Sequence, residues 1–168
     1  MIAIRTVASA LLFATVGACA SKSTAASASD GPPRWTGTFK QSQSAASAVV
    51  GPATAGRGAA YGTITAVPLA PGTPGNRIEL SISAPLPAGT QIAWAMFSGS
   101  CGSPTPPLAG PQEFPTIEIT STGSGFVRAT MTFRLDTHAA YHANVYWSSR
   151  VSDVSNVMMC ANLAVSSR

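Results

Sequence analysis

The sequence predicts an all-β domain, an eight-stranded β-sandwich or flattened barrel, on three observations. Beyond residue 33, apolar and polar residues alternate in short stretches, the period of a strand with one face in a core and the other in solvent. Gly, Pro, Ser and Asn separate those stretches, and most of the fifteen glycines and thirteen prolines fall between them. No stretch past the amino-terminal leader repeats its apolar residues at helical spacing.

Eight segments meet the strand pattern: Arg34 to Gln41, Ala59 to Val67, Asn76 to Ser83, Thr90 to Phe97, Thr116 to Ser121, Phe126 to Leu135, Ala140 to Ser148 and Asn156 to Ala164. The third is the clearest, with Ile78, Leu80 and Ile82 alternating against Glu79, Ser81 and Ser83. In the sixth, Val127, Ala129, Met131, Phe133 and Leu135 share one parity, and Arg128 and Arg134 the other. Turns are expected at Pro71-Gly72-Thr73-Pro74-Gly75, at Pro87-Ala88-Gly89, and at Thr122-Gly123-Ser124-Gly125, the last closing a hairpin.

Ahead of these strands the chain has a different character. Met1 to Arg5 carries one positive charge, and Thr6 to Ala18 is uncharged and mostly apolar or small, the pattern of a secretory signal too short to span a bilayer. It ends Val16-Gly17-Ala18-Cys19, which resembles the lipobox of bacterial lipoproteins, and Cys19 is the expected acylated first residue of the mature chain. The alternative is an ordinary signal peptide cut after Ala18 or Ala20. Residues 19 to 33 are small and polar, without an aromatic residue, and read as a flexible tether. The expected organisation is therefore a signal over 1–18, a tether over 19–33 and a β-sandwich over 34–168. The expected address is the cell envelope, outside the cytoplasmic membrane. Ala20 rather than Asp after the cysteine permits outer-membrane sorting if the cell has two membranes.

Three cysteines are present, and an exported chain pairs them. Lipid on Cys19 leaves Cys101 and Cys160 as an even pair, for which a disulfide is expected and two buried free thiols are the alternative. Removing the signal leaves nine Lys and Arg (ten minus Arg5) against six acidic residues, a formal +3. The basic residues are scattered rather than gathered in a stripe, which argues against a nucleic-acid partner. The expected partners are the membrane, through lipid on Cys19, and an envelope protein or glycan.

From about Asn76 to Ala164 the chain resembles the copper/zinc superoxide dismutase family, an eight-stranded Greek-key β-sandwich. The segment from Ile78 to Gly89 is similar to that family's strand and turn before a characteristic glycine. Cys101 follows the next strand, and Val157-Met158-Met159-Cys160-Ala161-Asn162-Leu163 resembles the last strand, with the second disulfide cysteine. The resemblance implies the fold and not the activity. Trp94 and Met96 stand where the family carries two copper histidines on the outer face. A third is replaced within Val145-Tyr146-Trp147, no histidine lies in the loop from Gly102 to Pro115, and Val157 replaces the anion-guiding arginine. Imidazole ligands are what let copper cycle there, so a degenerate, non-enzymatic module without a cofactor is expected.

The only two histidines, His138 and His142, share strand parity with Asp136 and could contribute to a metal site. The simpler expectation is a solvated strand face, because four residues of strand separate two imidazoles by about 13 Å. No nucleophile elbow or paired carboxylates appear, so no catalytic residue is assigned. Trp94, Met96 and Trp147 form a possible binding patch, unless the proline-rich loop 102–115 folds over them as a second small core. The sequence therefore favours a non-enzymatic binding or structural lipoprotein of the envelope. Two alternatives stand beside it: a copper-handling or dismutase-like metalloprotein, and a carbohydrate or small-ligand module using Trp94 and Trp147.

Overall fold

The computed structural model describes residues 31–42, 59–151 and 154–166. The expected signal, Cys19 as the expected lipidation site, and most of the expected tether lie outside the described residues. Among these residues there are nine strands: β1 (Arg34–Gln41), β2 (Tyr61–Pro68), β3 (Asn76–Ser83), β4 (Gln91–Ile92), β5 (Trp94–Ser98), β6 (Ile117–Glu118), β7 (Ser124–Met131), β8 (Tyr141–Tyr146) and β9 (Val157–Ser166). Seven form one antiparallel sheet in the order β5-β8-β9-β1-β2-β3-β7, and β4 pairs with β6 in a small second sheet. The expected pair of facing sheets is replaced by a single sheet curled into a half-barrel. The reason is the β1–β9 pairing, Arg34 with Ser166 through Gln41 with Met159, which joins the two halves edge to edge.

The alternation read from the sequence decides which face is which. On β1, β2, β3 and β7, Trp35, Ala66, Ile78 and Ala129 lie level with one another, as do Ile64, Leu80 and Val127, and all are buried. The residues between them, Thr63, Thr65, Glu79 and Arg128 among them, form the convex face, where Glu79 accepts an ion pair from Arg128 at 2.9 Å. Such an exposed pair contributes little to stability. The concave face, at roughly 25 cal/mol per Å² of apolar surface buried, drives the fold.

Two expected strands differ from what forms. The stretch from Thr90 to Phe97 breaks at Ala93, which donates to the Ser148 carbonyl and accepts from the Tyr146 N–H. β5 thus stays in the large sheet while β4 turns away to β6, a corner strand serving both sheets. The stretch from Phe126 to Leu135 shifts to Ser124–Met131, because its partner β3 ends at Asn76 opposite Met131. Beyond that point the Asn76 amide donates to the Phe133 carbonyl at 2.6 Å in place of a ladder. The expected turn at 122–125 forms, with Gly123 at φ 75°. It leads from β6 into β7, closed by the Thr120 N–H donating to the Ser124 carbonyl at 2.8 Å, while β6 itself pairs with β4.

On β5 and β8 both faces are buried. One packs into the concave core and the other lies under residues 99–110. That cover is fixed by the Leu108 N–H donating to the Met96 carbonyl, by the Gly99 N–H donating to the Ala140 carbonyl, and by the Cys101–Cys160 disulfide, whose Cα atoms are 6.0 Å apart.

Candidate functional site

The residues expected to form an aromatic patch are not on the surface. Trp94 and Met96 are fully buried. They pair with Val145 and Ala143 of β8 and share the concave face with them. Trp94 donates its indole N–H to the Pro115 carbonyl at 2.7 Å and meets Phe114 edge-on at 5.1 Å between centroids. Trp147 is half-buried, past the bulge at Val145 and Tyr146, and no ring contact among the described residues joins it to Trp94. The proline-rich loop and Trp94 therefore make core rather than a docking surface. Strand parity also corrects the family comparison: Ala95 and Phe97, not Trp94 and Met96, look outward on β5.

The histidines separate as well. His138 lies exposed in the turn after Asp136, whose carboxylate accepts its backbone N–H at 2.8 Å. His142, expected on a solvated face, is 1% exposed. Its strand face is the outer one, as the sequence indicates, but residues 99–110 cover it. The ring stacks on Phe97 at 5.1 Å, and Nδ1 lies 3.2 Å from the Gly99 carbonyl, so Nδ1 carries the proton. Nε2 is buried without a partner. Burial holds the His142 pKa below its ordinary value, against a smaller opposing effect from the Gly99 bond. Among the described residues no three His, Cys, Asp or Glu side chains converge in the manner of a metal site.

What the outer face does hold is a cleft of about 1030 Å³ beside the disulfide, lined by strands β1, β8 and β9 and by the loop at Cys101 and Gly102. Cys160 lies level with Asn144 of β8 on one side and Lys40 of β1 on the other, so these three side chains form a row across the sheet. Asn162, two residues on, accepts the Cys101 N–H at 2.7 Å through Oδ1 and so ties the loop down. Lys40, exposed at the rim, is the one charged residue among the described residues of the lining. Asn144 is 5% exposed, and what is open of it lines the cleft. Among the described residues, the buried side-chain polar atoms without a partner are Trp35 Nε1, His142 Nε2 and Trp147 Nε1, and the Asn144 amide is not one of them. Sequence reading passed over Lys40, Asn144 and Asn162 because each is an ordinary strand residue. The signal available was their shared parity with Cys160, which becomes legible only once β8, β9 and β1 are known to be neighbours.

Compared with models of protein families, with curated proteins and with solved structures, the chain matches none.

Proposed function

We propose that this protein is a non-enzymatic lipoprotein of the cell envelope, exported by residues 1–18, anchored through lipid on Cys19, and carrying a binding module whose ligand site is the cleft beside Cys101–Cys160. The single observation that supports the site is the cleft itself, about 1030 Å³ beside the disulfide, with the Asn144 amide, able to donate and accept at once, in its wall. The cleft is of the size that small-molecule sites have, and Lys40 gives it a positive rim, with no carboxylate among the described residues of the lining. A polar ligand, neutral or carrying one negative charge, suits it.

The domain is further proposed to be a degenerate relative of the copper/zinc superoxide dismutase fold. In support, β3 is followed in the sheet by β7 and β5 by β8, the crossing connections of a Greek key. The disulfide joins the loop after β5 to the last strand, as the resemblance implies.

The binding reading is tested with the full chain carrying Cys19→Ser, screened by thermal shift against small sugars, hydroxy acids and amino acids. A ligand that raises Tm in the parent and not in Asn144→Ala is expected. A panel in which every effective ligand acts equally on Asn144→Ala would sink the assignment of the cleft.

A further inference from the structure

The cleft does not end at Lys40. Two further depressions, of about 500 and 320 Å³, lie on the same outer face, and Thr38 lines all three. Strand register shows how they connect. Asn144 lies level with Cys160, and Cys160 with Lys40. Continuing the β1–β2 pairing one residue past Phe39 and Gly62 sets Lys40 beside Tyr61, which is itself level with Ser83 of β3. From β8 to β2 this row crosses three inter-strand gaps, about 14 Å, more than one sugar ring spans.

We propose that this outer face binds an extended glycan strand, which enters the cleft at Asn144, passes Lys40 and stacks a ring on Tyr61. The inference rests on the cleft reading above and adds the chemical class and the path of the ligand. Among the described residues, the linings of the three depressions contain no carboxylate and a single cation, and their polar groups are mainly hydroxyls and amides. Groups that both donate and accept suit a ligand whose own groups are hydroxyls. One lysine is too few for a nucleic-acid backbone, and a face so rich in short hydroxyl side chains lacks the apolar centre of a protein interface.

The second observation is aromatic. Tyr61 is 63% exposed and lines the 320 Å³ depression. Phe126, 58% exposed in the next row, has the Arg128 guanidinium over its ring at 5.9 Å, whereas among the described residues no ring or cation contact covers Tyr61. A tyrosine placed so presents a flat apolar face with a polar tip, the geometry on which the C–H face of a pyranose packs.

The experiment is calorimetric titration of the full chain carrying Cys19→Ser with three hexasaccharides, of β-1,4-linked N-acetylglucosamine, β-1,4-linked glucose and α-1,4-linked glucose, and with their monosaccharides. At least one hexasaccharide is expected to bind at least about tenfold more tightly than its monosaccharide. Tyr61→Ala should weaken it about tenfold at unchanged Tm, and Tyr61→Trp should restore it. If no hexasaccharide binds, the glycan inference is overturned, while the cleft reading still answers to its own ligand panel. Hexasaccharide binding that Tyr61→Ala leaves intact overturns the path. Loss in Tyr61→Ala with full retention in Asn144→Ala removes the cleft itself.

Discussion

Trp35 and Trp94 are both fully buried indoles, yet only Trp94 has a hydrogen-bond partner; the Trp35 Nε1 has none. Removing an unpaired donor relieves a desolvation cost, whereas removing a paired one forfeits the bond to the Pro115 carbonyl. Both substitutions to Phe lose similar volume, so Trp94→Phe should destabilise by about 1–2 kcal/mol more than Trp35→Phe in urea unfolding. Equal losses would mean that the Pro115 bond contributes nothing. His142 makes the second prediction at this scale. Its folded pKa lies below the ordinary 6.5 because burial disfavours the imidazolium. Below pH 6.5 the unfolded chain therefore binds more protons than the folded one, so stability falls as pH drops from 6.5 through the lowered folded pKa. Tm should fall over that window in the parent and fall less in His142→Phe, which keeps the stack on Phe97. Parallel Tm profiles in the two proteins would contradict the assignment. The parity of His142 was readable from the alternation around it; its burial was not, because the cover comes from residues 99–110, some forty positions away.

Strand positions were largely legible because period-two alternation is a local signal, and β1, β3 and the turn glycines fall where composition places them. The break at Ala93 was not legible. It arises from a competition between β8 and β6 for the same stretch, and both partners are distant in sequence. The disulfide acts at this scale, closing 59 residues of chain between the loop and β9. Replacing both cysteines by alanine should cost about 4 kcal/mol if loop-closure entropy carries the effect. Amide exchange should then show the Leu108 N–H losing protection while Ile64 and Leu80 keep theirs, relative to global stability. Uniform loss of protection would mean that the loop and the sheet unfold as one unit. The turn before β3 has its own constraint, since Gly75 adopts φ 114° and a Cβ there would press on the Met131 carbonyl. Gly75→Ala is accordingly expected to lower Tm, and an unchanged Tm would show that this turn can relax.

At the scale of the whole molecule, the sheet order brings together residues that no motif connects. Lys40, Asn144, Asn162 and the disulfide come from three strands and a loop, and their conjunction is a product of topology. That is why the candidate site escaped a reading that looked for aromatic clusters and histidines, and why Trp94 and Met96, conspicuous in sequence, proved to be core. The tether belongs here too: Cys19→Ser should release the protein from the membrane fraction and abolish fatty-acid labelling, and retention of both would overturn the anchor. The central claim, that the outer cleft is maintained for a ligand rather than for the fold, is tested most directly by the unfolding free energy of Asn144→Leu. Leucine has nearly the same shape and no polar group to leave unpaired. The account predicts a variant within about 1 kcal/mol of the parent in stability that has lost the cleft's ligand. A loss of about 1–3 kcal/mol would show that the amide is bonded within the folded chain, and would contradict the account.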